Sequence, residues 1–455
     1  MKKLLLLLSL LIIPNLCYGA IGATCVWEIR TTATAGNLNG GGYTSGGTDY
    51  SQQDAAQLNL TDFATSGVGV TTLTTATGGF TSAMVGNIIH LTAGTNLLES
   101  WYEITAYTDT NTVTLDRAAD DTIGAMSAAT GYVGGALSLE STLDDEFFEQ
   151  LSNGNIVYIE AGTYTQVENV AVAKDGTALN PITIEGYNAS RGDNPLGDNR
   201  PFIIAGGYDF NFDQYWIMRN FRFTTTDSSG IQVDEYGIME NVKSHNTGTG
   251  DAISGSWRGL IIRCEAISDG GIGIDGRGYD TIISSYVHDS VTCIDDNYSS
   301  IIGNVIDTCT TGINMVSTDI GVTMGNTIYN CTTGISATDA HERKVINNLI
   351  DNCTTGITWT TPQLNNYFDY NLYSNTTADV VNITKGGHSV TSDITLTDAP
   401  NKDFTLPSGA GAIDAGLQVG TNQGAVGDYK VNIGADQDDV TAAGAGCTNA
   451  FGVIQ

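Results

Sequence analysis

The sequence is poor in positive charge. Its 18 lysines and arginines stand against 50 aspartates and glutamates, which gives a formal net charge of −32. Such an acidic surface repels nucleic acid and anionic lipid, so cations, neutral glycans and proteins remain as partner classes. Charged residues make up only 15% of the chain, so the acidity does not indicate a disordered, highly charged polypeptide.

Several other features are missing as well. Across the central region, Ala, Leu, Glu and Lys are scarce whereas Thr, Gly and Asn abound, which argues against helices. No stretch after residue 20 is apolar enough to span a membrane. No nucleotide-binding loop, zinc-ligand spacing or haem motif occurs. We therefore expect an all-β protein with no membrane span and no certain cofactor.

The first twenty residues are an exception, because they contain a long apolar run. MKKLLLLLSLLIIPNLCYGA combines two lysines, the apolar run and a small-residue end, which predicts a secretory signal peptide cleaved near Gly19 or Ala20. The protein is thus expected to be secreted, extracellular or at the cell surface. Cys17 would leave with this segment, and the odd number of cysteines that remains does not indicate a complete disulfide framework.

What the sequence does contain is a repeat of about twenty residues. A small residue followed by isoleucine recurs at spacings of 19 to 22 residues. These isoleucines are Ile231, Ile253, Ile274, Ile294, Ile313, Ile335 and Ile357. A second series has asparagine two residues after an apolar pair, at Asn220, Asn241, Asn304, Asn326 and Asn348, with Cys264 and Ser285 in the same slot. A fixed period indicates one structural unit stacked many times.

The composition of the unit predicts its fold. Each unit holds short β-branched segments separated by Asn, Gly, Thr, Asp and Ser, which is typical of short strands joined by turns. A leucine-rich repeat would need regular leucines, and a propeller blade would be about twice as long. The remaining fold class is a parallel β-helix (solenoid), whose coils stack about 4.8 Å apart. The unequal spacings favour the right-handed form, in which equivalent residues form columns.

Three cysteines should form one of these columns. Cys309, Cys331 and Cys353 lie 22 residues apart. A disulfide between neighbouring coils is conceivable, because the coil spacing falls within the Cα range of a bridge. We prefer the expectation that all three are buried free thiols that behave as small hydrophobic groups.

The chain is predicted to have four parts. These are a signal peptide at 1–20, a small N-terminal β-rich domain at 21–140, the β-helix at 141–395 and a C-terminal cap at 396–455. A short amphipathic stretch within DEFFEQLSNGNIVYIEAGTYT is expected to cover the open first coil of the rod.

Three segments resemble a known group of proteins. GNIVYIEAGTYT resembles the opening coil of secreted right-handed parallel β-helix proteins of the pectate-lyase-like type, known from bacteria and phages. DFTLPSGAGAIDAG with VNIGADQ is similar to their closing segment, and WEIRTTATAGNLNGGGYTSGGTDYSQQDAAQ to their beginning. The resemblance implies the fold. It does not imply one activity, because the group includes pectate lyases, polygalacturonases, alginate-type lyases, phage depolymerases and adhesins.

The candidate catalytic site is the slot directly after the repeated isoleucine. Asp275 and Asp295 should lie one coil apart there, with Asp296 beside them. Arg277 stands two residues beyond Asp275, and His288 lies on the preceding segment. Adjacent carboxylates suit a general acid and its partner in glycoside hydrolysis, and the three aspartates also suit a Ca²⁺ ion. Alternatively, GIDG and CIDDN are ordinary turns rich in turn-forming residues.

The class of enzyme stays open on the sequence. Asp275, Asp295 and Asp296 resemble the acidic set of polygalacturonases, whereas the Gly-His-Gly and Arg-Ile-Lys triplets of those enzymes are absent. A polysaccharide lyase acting on uronates needs a strong base and a cation for the substrate carboxylate. Only the surroundings of Arg258 and Arg277 offer a place for that chemistry.

Aromatic residues near the slot suggest a sugar-binding surface. Trp257, Tyr279 and Tyr298 fall on adjacent coils and are candidates for substrate binding, although core packing explains them as well. We therefore predict an exported protein that binds or cleaves extracellular polysaccharide. The alternative is a non-catalytic structural, adhesive or fibre-forming surface protein with a self-assembling rod.

Overall fold

The computed structural model describes residues 21, 24–120, 123–138, 145–226, 230–316, 320–338, 341–361 and 365–406. Within these ranges the main body is a right-handed parallel β-helix, as the repeat predicts. The predicted signal peptide and most of the predicted C-terminal cap lie outside the described residues. No helix in the described part is long and apolar enough to cross a membrane.

Three parallel sheets form the walls of the rod. Two long strands, Trp216–Thr225 and Ile238–Asn246, run through the bend from sheet I into sheet II. Sheet I further contains Val26–Ile29, Ile156–Glu160, Ile182–Tyr187, Leu260–Ile262, Thr281–Ile283, Ser300–Ile302, Gly321–Met324, Arg343–Ile346 and Tyr367–Asp369. Sheet II further contains Thr163–Thr165, Phe202–Gly206, Glu265–Ser268, Tyr286–His288, Val305–Asp307, Thr327–Tyr329, Leu349–Asp351, Leu372–Ser374 and Val390–Thr391. Sheet III consists of Val170–Val172, Phe210–Phe212, Ile231–Val233, Ile253–Ser254, Ile272–Gly276, Thr292–Asp296, Thr311–Met315, Thr333–Ala337, Thr355–Trp359 and Ala378–Val381.

The repeated isoleucines form the predicted column inside sheet III. Each is paired in register with the isoleucine one coil later, from Ile231 to Ile357. All seven are fully buried. Phe210 precedes this column and Val380 follows it. The turns between strands absorb the unequal sequence spacing, so the strands themselves stay in register.

The asparagine column is also confirmed, at the bend between sheets I and II. Its side-chain hydrogen bonds join Asn241 to Asn220, Asn304 to Asn326, Asn326 to Asn348 and Asn348 to Asn371, at 2.7, 3.1, 2.9 and 3.0 Å. Ser285 occupies the same slot, since its backbone N–H donates to Oδ1 of Asn304 at 2.9 Å. The column extends to Asn371, beyond the predicted members. These amides provide partners for buried polar groups where the strands bend.

The cysteine column is present, but the expectation of three free thiols is wrong for Cys309. Cys309 forms a disulfide with Cys293 of the preceding coil, with the Cα atoms 5.9 Å apart. Cys293 takes the position that is glycine in the neighbouring strands, immediately before the repeated isoleucine, and its side chain is fully buried inside the coil. Cys331 and Cys353 are buried and free, as expected.

The first coil is closed by aromatic side chains from a short helix. The helix spans Asp145–Glu149, and the ring of its Phe148 lies 5.2 Å from that of Phe212 and 6.1 Å from that of Trp216, centroid to centroid. Phe147 packs edge-on against Trp27. The predicted amphipathic cap is therefore confirmed in this helix.

A closed antiparallel barrel with its own core precedes this helix. Its strands are Leu58–Thr65, Thr72–Thr74, Ile88–Thr95, Ser100–Asp109, Thr112–Leu115 and Ser127–Val133. The smaller elements of the described chain are the strand Gly42–Tyr43 and the 3₁₀ turns Gly36–Leu38, Ser82–Met84, Gly197–Asn199 and Ala399–Asn401. Val26–Ile29 already pairs with Ile156–Glu160 in the rod, so the barrel lies between two segments of the solenoid. The four predicted domain boundaries stay predictions.

The asparagine column supplies a stability test. Asn326 is fully buried, accepts from the backbone and side chain of Asn304, and donates to the Ile301 carbonyl and to Asn348. Each buried polar group left without a partner costs about 1–3 kcal/mol, so we expect Asn326→Ala to lower the free energy of unfolding by about 3 kcal/mol or more. Denaturant unfolding measures this loss.

A matched control is the exposed Asn330, whose φ of 53° suits glycine. We expect Asn330→Gly to change the free energy of unfolding by about 0.5 kcal/mol or less, as is usual for surface positions. Equal losses for the two variants would contradict a structural role for the buried column.

Candidate functional site

The slot after the repeated isoleucine forms an outward-facing column on sheet III. Asp275 pairs in register with Asp295, and Ser254 precedes them in the same column. Both aspartates are partly buried on the outer face of the sheet, whereas the isoleucines beside them point inward. The predicted adjacency of these two carboxyl groups is thus present, because parallel pairing in register places equivalent residues next to each other.

One arginine and one further aspartate complete an acidic cluster, which we define as Asp251, Asp275, Asp295 and Arg277. Arg277 Nε donates to Asp275 Oδ2 at 2.7 Å, and its Nη2 lies 3.5 Å from Asp251 Oδ2. Asp295 accepts a hydrogen bond of 3.0 Å from Asn314 Nδ2, one coil later. Asp251 was not predicted as a site residue. Its position two residues before Ile253 was the only sequence signal.

Two carboxyl groups of the acidic cluster hold their protons unusually well. Burial, and then the charge of Asp275, raise the pKa of Asp295 to about 6 and that of Asp251 to about 6. Burial also raises the pKa of nearby Asp280 to about 7, although backbone N–H groups stabilise its charged form. A carboxyl group with a pKa near 6 can donate a proton close to neutral pH, which is the property required of a general acid.

Asp296 does not join the acidic cluster. It is fully buried, and its Oδ2 lies 2.7 Å from Nη1 of the fully buried Arg343. Its Oδ1 accepts the backbone N–H of Tyr298 at 2.9 Å. Consecutive residues of a strand point to opposite faces, so Asp296 faces the interior when Asp295 faces out. The structure therefore corrects the expectation that the three aspartates converge.

His288 is likewise placed elsewhere. It belongs to sheet II, where its Nδ1 lies 2.7 Å from Asp289 Oδ2 and its Nε2 lies 3.3 Å from Glu265 Oε1. Burial would raise the pKa of Glu265, but hydrogen bonds from His288 and Lys243 outweigh it and lower that pKa to about 2. Sheets II and III face different directions, so His288 does not meet Asp275 or Asp295, contrary to the sequence-based expectation.

The predicted aromatic residues lie side by side at the bend that follows sheet III. The ring centroids of Trp257 and Tyr279 are 5.5 Å apart, and those of Tyr279 and Tyr298 are 5.3 Å apart. Trp257 is 49% exposed and Tyr279 is 46% exposed. In the sequence, the three aromatic residues follow Ser254, Asp275 and Asp295, respectively, by three or four residues. The aromatic residues therefore border the acidic cluster.

We name the row of Trp257, Tyr279 and Tyr298 the aromatic column, and it is longer than predicted. Tyr215 and Tyr236 continue it, with stacked rings 4.8 Å apart, and the Arg258 guanidinium lies over the Tyr236 ring. Arg258 Nη1 also donates to the Tyr236 hydroxyl at 2.5 Å. The spacing of 21 residues between the two tyrosines was the available signal. Stacked tyrosines cover one another's faces, so their ring edges and hydroxyl groups remain for a ligand. Trp257 is tilted by 46° from Tyr279, so its ring face is not covered in the same way.

The three aspartates predicted as calcium ligands do not converge on one point. Asp275 is bound to Arg277, and Asp296 is bound to Arg343 inside the rod. Among the described residues, no group of three or more His, Cys, Asp or Glu side chains is arranged to hold a metal ion. Calcium takes six to eight oxygen ligands, which these residues do not supply together.

Comparison with known proteins agrees with the fold. Residues 209–371 match the family described as "Right handed beta helix region". No curated protein matches the chain. A right-handed β-helix region is therefore part of this protein, and the family match covers the coils that carry the acidic cluster.

Three solved structures show the range of similar proteins. The PL6 family alginate lyase AlyGC is 12% identical over 64% of this chain, with a TM-score of 0.33, and the match spans only 58% of that lyase. Pectate lyase Pel9A is 11% identical over 66% of this chain and 91% of its own, with a TM-score of 0.38. The catalytic unit of a GH87 α-1,3-glucanase from Streptomyces thermodiastaticus is 10% identical to this protein. The match covers 73% of this chain and 88% of the glucanase unit, with a TM-score of 0.30. At these identities and TM-scores, the three structures support no conclusion about the activity of this protein.

The position of Asp296 leads to a stability prediction. Removing one partner of a buried ion pair leaves the other charge uncompensated and costs about 3–5 kcal/mol, so Asp296→Asn should lower the free energy of unfolding by that amount. The Glu240–Arg263 pair is partly exposed, with side-chain exposures of 28% and 29%. As the matched control, Glu240→Gln should cost less than about 1 kcal/mol. Chemical denaturation measures the free energy of unfolding of both variants. A loss for Asp296→Asn no larger than that for Glu240→Gln would contradict a stabilising Asp296–Arg343 ion pair.

The shared charge within the acidic cluster can be tested by titration. Carboxyl-detected NMR should show Asp295 and Asp251 titrating near pH 6. Asp275→Asn removes a charge that raises the pKa of both groups, so both titration midpoints should fall. The midpoint of Glu265, which lies on sheet II, should not change. The pKa values of Asp295 and Asp251 in the folded protein exceed the unfolded pKa of about 3.9. The two protonated groups therefore stabilise the fold most when the pH is below about 3.9. Their contribution is lost as the pH rises through about 6. Unchanged midpoints in Asp275→Asn would refute the coupling.

Proposed function

We propose that this protein is exported and binds an extracellular polysaccharide over the acidic cluster and the aromatic column, and that it hydrolyses the bound glycan. The observation that carries the proposal is the in-register pair Asp275 and Asp295 bordered by the exposed Trp257 and Tyr279. Carboxyl groups beside exposed aromatic residues combine the two requirements of glycosidase sites, which are acid–base chemistry and contact with sugar rings.

In this proposal Asp295 is the general acid. Its pKa of about 6 lets it carry a proton to the glycosidic oxygen near neutral pH. Asp275, one coil away, is the second carboxylate, and Arg277 orients it through the 2.7 Å hydrogen bond. Asp251 shares the same arginine and so helps to position it.

Elimination by a lyase is less well supported than hydrolysis. A lyase requires a cation that is free to neutralise the carboxylate of a uronate. Arg277 is already bound to two aspartates, and Arg258 lies on Tyr236 and donates to its hydroxyl. The two arginines that the sequence offered for this chemistry are therefore engaged elsewhere.

A non-catalytic structural or adhesive role is the second candidate. It is favoured by an aliphatic row on the outer face of sheet I, where Ile262, Ile283, Ile302 and Met324 are paired coil by coil and only partly buried. Such a row could support lateral association of rods. This candidate requires no glycan cleavage.

A glycan panel tests the proposal. We expect the purified protein to bind at least one polysaccharide and to release reducing ends without unsaturated products. Asp295→Asn should reduce the rate about 10²- to 10⁴-fold, as expected for loss of a general acid, while binding is retained. Trp257→Ala should weaken binding up to about tenfold. Tyr367→Ala, which removes an aromatic residue 43% exposed on sheet I, is the control and should bind normally.

Each failure has a distinct meaning. Binding without release of reducing ends would leave a glycan-binding surface and refute hydrolysis. No binding across the panel, together with concentration-dependent rod association, would favour the structural candidate. N-terminal sequencing of the mature protein tests export, which predicts a start near Ala20 or Ile21.

A further inference from the structure

The outward column of sheet III changes character beyond Asp295. The residues that follow in register, one per coil, are Asn314, Ser336 and Thr358. A second outward column runs beside it and consists of Thr292, Thr311, Thr333 and Thr355. All of these side chains are partly exposed. The acidic cluster therefore continues into an uncharged surface of hydroxyl and amide groups, which we name the hydroxyl face.

In the described part of sheet III, the hydroxyl face carries no positive charge that a polyanion could contact. The sheet III strands that carry the hydroxyl face contain no lysine or arginine. Arg277 lies at the acidic end and is bound to Asp275 and Asp251. Near the far end, Lys385 Nζ is 3.0 Å from Asp379 Oδ2. A glycan with one carboxylate per sugar would bring negative charge onto carboxylates, in a protein whose net charge is −32, and like charges at an interface oppose binding.

The hydroxyl face suits sugar hydroxyl groups. Serine and threonine hydroxyls both donate and accept hydrogen bonds, and asparagine offers both functions in one amide. The groups recur at the coil spacing of about 4.8 Å, which is comparable with the length of one sugar unit. Asn314 is already held by its hydrogen bond to Asp295, so the two surfaces are joined without a gap.

We propose that the ligand is an uncharged polysaccharide that lies along the rod axis, from the acidic cluster over Asn314, Ser336 and Thr358. This inference rests on the proposed function and adds the substrate class and the direction of the chain. Such a ligand differs from the uronate chains of lyases with this fold, because the charge distribution of sheet III disfavours a carboxylated chain.

The test compares matched glycans and matched variants. The probes are unmodified and carboxymethylated forms of the same β-glucan and dextran, together with galactomannan, xylan, polygalacturonate and alginate. We expect binding to an unmodified neutral glycan, little dependence on salt, and at least tenfold weaker binding to its carboxymethylated form. Ser336→Ala and Thr358→Val should each weaken binding about 2- to 10-fold, as expected for one hydrogen bond. Thr281→Val removes a partly exposed hydroxyl on sheet I and should have no effect.

The outcomes separate this inference from the proposed function. Preferred binding of polygalacturonate or alginate would overturn the inference and leave a polysaccharide-directed role standing. Neutral-glycan binding that Ser336→Ala and Thr358→Val leave unchanged would place the ligand elsewhere and also overturn it. Absence of binding to every probe, with each variant shown to be folded by its unfolding curve, would reject the inference and the proposed function together.

Discussion

The structure depends on one constraint, which is that every coil stacks in register on the one before it. Parallel strand pairing on three walls and a buried asparagine column at one bend hold this register. Residues about twenty positions apart thereby become neighbours, and a single residue type repeated in the sequence becomes a continuous column in space. The aliphatic interior, the stacked tyrosines and the acidic cluster are all consequences of this stacking.

The same constraint assigns neighbouring residues to different tasks. Asp295 and Asp296 are adjacent in sequence, yet one joins the outward acidic cluster and the other neutralises Arg343 inside the rod. The alternation of strand side chains separates them. A carboxyl group on the outer face can meet a ligand, whereas one on the inner face stabilises the fold, so the two aspartates do not face a common groove.

In the proposed function, charge limits the chemistry available to the outer face of sheet III. The protein has few basic side chains, and two of them are already paired: Arg277 is bound to aspartates and Arg258 to a tyrosine. Burial and mutual repulsion then raise the pKa of Asp295 towards neutrality. The result favours proton donation to an uncharged ligand over neutralisation of an anionic one.

The sequence by itself determined the all-β class, the register of the coils and the columns of isoleucine, asparagine and cysteine, because a regular period is a local property that can be counted. The repeat also predicted that Asp275 and Asp295 are neighbours. Only the tertiary structure decided the rest: the disulfide of Cys309 with Cys293, the placement of His288 on sheet II, and the contribution of Asp251. The angles of the bends and the direction of each side chain decide these contacts, and spacing along the chain does not encode either.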